Sequence, residues 1–159
     1  MFTYSRRVIW LGSSMVLSAL LWGCATASAP PPASEDCPQP KFTGRAPDVI
    51  YNQKNPLQTA EIDPAVGKRL FFDDEPNGKR FACATCHGRN ADGKGPMATQ
   101  FNPPPRHLGC VNTASITDGQ VFWIIRNGSA GTEMPAHKNF TDKEVWQLVA
   151  YLRALRFGV

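Results

Sequence analysis

The chain has 159 residues, 17 of them Lys or Arg and 13 Asp or Glu, for a net charge of +4. That length suits one small domain rather than several. The basic excess is slight and no basic tract accompanies it, which speaks against a nucleic-acid partner.

The first residues read as a targeting segment. Arg6-Arg7 form a positive region, and Val8 to Trp22 is an apolar run broken mainly by Gly12 and three serines. A transmembrane span needs about 20 residues, so this shorter run suits the core of a signal peptide. Leu21-Trp22-Gly23-Cys24 resembles a bacterial lipoprotein box. This predicts a leader over 1–23 and lipid on Cys24. Cleavage after Ala27 or Ala29 is the alternative. Loss of Arg6 and Arg7 with the leader leaves 15 basic against 13 acidic residues, a net of +2.

Residues 24–46 are rich in Pro, Ala and Ser, with Pro30-Pro31-Pro32 stiff and extended. We read a tether that holds a domain over 47–159 away from a membrane. Asp48 to Ile62 shows little periodicity and is expected to wrap the domain irregularly. Asp63 then caps a helix whose first turn carries Pro64, where a missing N–H costs nothing. Val66, Leu70 and Phe71 form its apolar set, and Gly67 allows close backbone approach. Strand signals are weak, with Asn77-Gly78 expected to turn a small hairpin.

Cys83-Ala84-Thr85-Cys86-His87 carries the chemistry. C-x-x-C-H is the attachment signature of c-type haem. Two thiols add across the haem vinyl groups, and the adjacent imidazole ligates the iron. A zinc site would need a second ligand pair at similar spacing, and a thioredoxin-like dithiol would need a βαβ context. The sequence offers neither. One motif predicts one covalent haem c, on a short helix.

Thr117 and Gln120 make a capping box, with Ile116 and Val121 as its staple. The helix they open shows Val121, Ile124 and Ile125 on one stripe and stops at Asn127-Gly128. Gly131-Thr132-Glu133-Met134-Pro135 follows as a loop, with Met134 placed 134 − 87 = 47 residues beyond His87. A thioether there would complete the iron coordination and favour the ferrous state. Met97 reads as packing, and His107 and His137 are competing ligands. Thr141 and Glu144 make a second box, with Phe140 and Val145 as staple. Val145, Leu148, Val149, Leu152 and Leu155 then repeat at helical spacing. Cys37 and Cys110 are the pair left over in an exported chain, where a disulfide is the default.

Several of these features resemble class I cytochromes c. They are Gly67 and Phe71 in the first helix, Cys83 to His87, Gly93-Lys94-Gly95-Pro96, the Met134 loop, and the closing helix from Trp146 to Leu155. The resemblance covers Asp63 to Phe157. It implies an all-α fold with crossing N- and C-terminal helices and haem in a loop-rich pocket. It implies contact of Gly67 and Phe71 with Trp146, Val149 or Tyr151. It also implies that the Pro96 carbonyl accepts the axial imidazole N–H. Two stretches depart from the family. Phe72 to Ala82 is longer than the usual link to the haem motif and resembles that of bacterial dihaem peroxidases. Pro103-Pro104-Pro105 precedes Arg106 in the loop over one haem edge, and Arg106, Trp123 and Arg126 are candidates to bind propionates.

The function implied is single-electron transfer between a redox donor and acceptor at the extracytoplasmic face, on a lipid anchor. Lys68, Arg69, Lys79, Arg80, Arg89 and Lys94 suggest docking with an acidic partner, though Asp73-Asp74-Glu75 dilutes that charge. The alternatives are a peroxidase or gas-binding haem protein with a displaceable ligand, and a haem subunit of a larger dehydrogenase or oxidase.

Overall fold

The computed structural model describes residues 44–72, 82–110 and 116–157. The leader, Cys24, the tether to residue 43, Cys37 and the turn at Asn77-Gly78 lie outside the described residues, as does most of the long link after Phe72. Within the described residues the chain is helical and contains no strand. Its helices are α1 (Asp48–Tyr51), α2 (Pro64–Phe72), α3 (Cys83–His87), α4 (Asp118–Asn127) and α5 (Asp142–Phe157). Two short 3-10 turns, Thr59–Glu61 and Ala98–Gln100, join them.

The helices begin where side chains satisfy their orphan N–H groups. Asp63 Oδ1 accepts from Ala65 N at 2.8 Å at the start of α2. Thr141 and Glu144 cap α5 reciprocally: Thr141 N donates to Glu144 Oε2 at 2.7 Å, and Glu144 N to Thr141 Oγ1 at 3.3 Å. At α4 the expected box is only half formed. Gln120 N donates to Thr117 Oγ1 at 3.2 Å, but the Gln120 side chain turns elsewhere. Its Oε1 accepts from Ala46 N at 2.8 Å and its Nε2 donates to Gly44 O at 3.0 Å. A buried amide that bonds both ways outcompetes the solvated cap, because leaving those groups unpaired would cost about 1–3 kcal/mol each.

The core is built on α2 against α5. Leu70 and Phe71 of α2 are buried with Val145, Leu148, Val149, Tyr151 and Leu152 of α5. The Phe71 and Tyr151 rings lie 5.6 Å apart. Gly67 faces Gln147 and Tyr151 at the closest approach of the two helices. The expected contact of Gly67 and Phe71 with α5 is therefore present. α4 packs on another side of α5, where Phe122 stacks on Trp146 at 4.4 Å between ring centres. α5 thus buries more than one apolar stripe, since Trp146 and Gln147 are also buried.

Asp48 to Ile62 is more ordered than its pattern suggests. It forms α1 and a 3-10 turn, and hydrogen bonds to and from its backbone and side chains hold it to the core. Gly119 N donates to Gln53 O at 2.9 Å, and Asn55 Nδ2 donates to Trp146 O at 3.0 Å. Gln147 Nε2 donates to Glu61 O at 2.7 Å while its Oε1 accepts from Asp63 N at 2.9 Å. Polar bonds to backbone leave no hydrophobic period to read. No described helix is long and apolar enough to cross a membrane.

Candidate cofactor site

Cys83 to His87 form the single-turn helix α3, which is far too short to be stable alone. The following loop folds back on it. Gly93 N donates to His87 O at 2.9 Å, Gly95 N to Cys86 O at 3.1 Å, and Met97 N to Thr85 O at 3.1 Å. These bonds satisfy the last carbonyls of the turn. Gly95 is required there, because a Cβ would stand 2.3 Å from Thr85 O.

The motif borders a cavity of about 370 Å³. Cys83, Cys86 and His87 line it from α3, and Phe71 lines it from α2. Val121, Ile124 and Ile125 of α4 and Leu148 and Leu152 of α5 supply apolar walls. Pro103, Pro104, Pro105, Arg106 and Leu108 close another side, and Met134, Pro135 and His137 come from the loop after α4. Met97 also reaches the lining, whereas His107 does not.

His87 Nδ1 bonds Arg106 O at 2.8 Å. A carbonyl only accepts, so Nδ1 carries the proton and Nε2 keeps its lone pair. Burial holds this imidazole below its ordinary pKa, and charge on His137 and Arg106 acts in the same direction, against the bond to Arg106 O. The ring is therefore poised as a neutral ligand. Burial also lowers His137 and raises the Cys86 thiol.

The bond to Arg106 corrects the expectation for Pro96. The 93–97 segment spends its backbone groups on the carbonyls of α3, and Pro96 is exposed. The chain reaches the imidazole later, where Leu108 N donates to Ala91 O at 2.7 Å and brings Arg106 alongside. Two of the propionate candidates have their contacts elsewhere. Trp123 does not line the cavity; it packs toward Gly44. Arg126 donates to Phe140 O and pairs with Asp142 at 3.3 Å, bracing the approach to α5. Arg106, the third candidate, does line the cavity.

The segment after α4 bonds within itself around Met134 and reaches α4 through His137. Ser129 N donates to Met134 O at 3.2 Å, and His137 N donates to Ile125 O at 2.9 Å. Met134 N donates to Thr132 Oγ1 at 3.2 Å. Cys110 is buried and disulfide-bonded; Cys37, its expected partner, lies outside the described residues.

These residues fit a haem c. Two thiols of a C-x-x-C pair, a neutral imidazole with an oriented ring and a thioether all border one apolar cavity, and a cationic side chain stands on its wall. The sequence missed Phe101 and Leu108, which line the cavity, and the Arg106 carbonyl that bonds the imidazole. Their signal, a Pro-rich stretch with isolated apolar residues, is not periodic.

Residues 77–152 match the family model described as cytochrome C oxidase, cbb3-type, subunit III. The chain is 28% identical over 124 residues to cytochrome c-L of Methylorubrum extorquens. That match covers 73% of this chain and 60% of the relative, so the chain spans under two thirds of that protein's length. A solved structure, the reducing HAO-like protein complex of Kuenenia stuttgartiensis, aligns with a TM-score of 0.48 at 23% identity. It covers 65% of this chain and 49% of that one. The chain is similar to c-type cytochromes, its described residues form an all-α fold, and its cofactor is covalently bound haem c.

Proposed function

We propose that the protein is a membrane-tethered monohaem cytochrome that passes single electrons between redox partners outside the cytoplasm. The observation that carries this reading is the convergence of Cys83, Cys86, His87 and Met134 on one apolar cavity. Haem c supplies the one-electron ferrous–ferric couple when bound. Cys83 and Cys86 hold it by thioether bonds. His87 would hold the iron through its free imidazole nitrogen, oriented by the Arg106 carbonyl, a bond that raises its basicity. Met134 would hold it through its thioether, which favours the ferrous state. Arg106 would pair with a propionate. The apolar walls from α4 and α5 exclude water, so little solvent reorganises when the charge changes. Residues 24–46 form the tether, with lipid on Cys24.

A carrier keeps its sixth position filled, whereas a haem enzyme keeps it open. The ferrous protein should therefore resist carbon monoxide at neutral pH and exchange electrons with a small redox protein. Rapid stoichiometric carbon monoxide binding, or peroxide turnover matching that of dedicated peroxidases, would replace this reading with a haem enzyme or sensor. The matched family is described as an oxidase subunit, which favours a second reading as a haem subunit of a larger complex. Solubilisation in mild detergent separates the two: a free carrier runs alone on gel filtration, and a subunit co-elutes with partners.

A further inference from the structure

We propose that His137 is a conditional axial ligand, which takes the sixth position when Met134 leaves it. The inference rests on the reading of His87 and Met134 as the resting ligand pair. His137 and Met134 lie three residues apart on one loop and both border the cavity that holds His87. Their attachments differ. The Met134 segment is tied mostly to itself: Thr132 N and Oγ1 both donate to Ser129 O, at 3.1 and 2.8 Å. Met134 N in turn donates to Thr132 Oγ1 at 3.2 Å. Residues 131–133 and Pro135 are exposed.

His137 is tied to the framework instead. Its N–H donates to Ile125 O on α4 at 2.9 Å, and its ring lies 5.7 Å from that of Phe140, which is buried. Local opening follows weak, exposed hydrogen bonds. An opening of 129–135 thus withdraws the thioether while the imidazole stays at the cavity wall. The other reserve donors are placed less well. His107 does not line the cavity, and the Met97 backbone is held against the motif helix through Thr85 O. The exchange breaks an iron–sulfur bond and forms an iron–nitrogen bond to a neutral imidazole, with no change in electron count. Two imidazoles lack the thioether's preference for ferrous iron, so the exchange lowers the reduction potential.

The test uses the holoprotein in four forms: unsubstituted, Met134→Ala, Met134→Ala with His137→Phe, and Met134→Ala with Met97→Ala. The phenylalanine keeps a ring against Phe140. The unsubstituted ferric protein should show the weak far-red band of sulfur-to-iron charge transfer. Met134→Ala should lose that band, stay low-spin and show a lower potential. Adding His137→Phe should turn the iron high-spin and open it to carbon monoxide, whereas adding Met97→Ala should not. If Met134→Ala fails to fold, warming the unsubstituted protein and His137→Phe until the sulfur band disappears gives the same comparison. The first should remain low-spin and the second become high-spin. A high-spin Met134→Ala, or a low-spin form that survives His137→Phe, overturns the proposal and leaves Met134 as resting ligand. Absence of the sulfur band in the unsubstituted protein overturns the resting assignment itself, and the proposal with it.

Discussion

Replacing Gly67 by alanine puts a methyl group where α2 meets α5. The new Cβ would stand 2.5 Å from Gln147 O and 2.6 Å from Tyr151 Cβ. Each gap is roughly 1 Å short of ordinary contact, and neither neighbour is the tip of a flexible side chain, so the helices must part. Parting loosens the Phe71–Tyr151 pair and the buried Leu148 and Val149 beside it. Overpacking of this kind costs about 1–3 kcal/mol, and the upper part applies when backbone must move. Against this, alanine gains about 1 kcal/mol of helix propensity over glycine. The net expectation is a loss of about 1–2 kcal/mol. Urea unfolding of the holoprotein, followed by far-UV circular dichroism, should show a lower midpoint at an unchanged slope. Lys68→Ala, at the exposed neighbouring position, should stay within about 0.5 kcal/mol. A Gly67→Ala protein as stable as the unsubstituted one, or more so, would refute the close crossing of α2 and α5.

Gln147→Leu should cost about 2–4 kcal/mol in the same assay, because it strands both the Glu61 carbonyl and the Asp63 N–H. Cys110→Ser should lose roughly 2–4 kcal/mol, the usual contribution of a disulfide, and non-reducing peptide mapping should recover Cys110 linked to Cys37. Two alkylatable thiols in the native protein would contradict that pairing. Intact-mass analysis should find a diacylglycerol on Cys24, and Cys24→Ser should move the protein to the soluble fraction. A mature chain beginning at Ser28 or Pro30 would instead show ordinary cleavage.

The local helix signals were legible because they act within one turn. Asp63, Thr117 and Thr141 stand where the helices begin, and Gly128 stands where α4 ends. The cofactor motif was legible because five consecutive residues carry it. What escaped was set by long-range polar pairing. Gln120 reads as a capping residue, but a backbone segment 74 residues earlier claims its side chain. Arg126 reads as a cavity cation, yet carbonyls at 138 and 140 take its guanidinium. The imidazole acceptor fell to Arg106 rather than Pro96 because the path of the 93–108 loop depends on which carbonyls of α3 it must satisfy. No periodicity records that choice. The same holds for 48–62, whose order comes from bonds to α4 and α5.

The most direct test of the account is where the haem stays after extraction. The purified protein is treated with acidified organic solvent, digested and mapped by mass spectrometry. Haem should remain on the polypeptide, and its mass should appear on the peptide that contains both Cys83 and Cys86. Haem released into the organic phase, with Cys83 and Cys86 recovered as alkylatable thiols, would contradict the assignment.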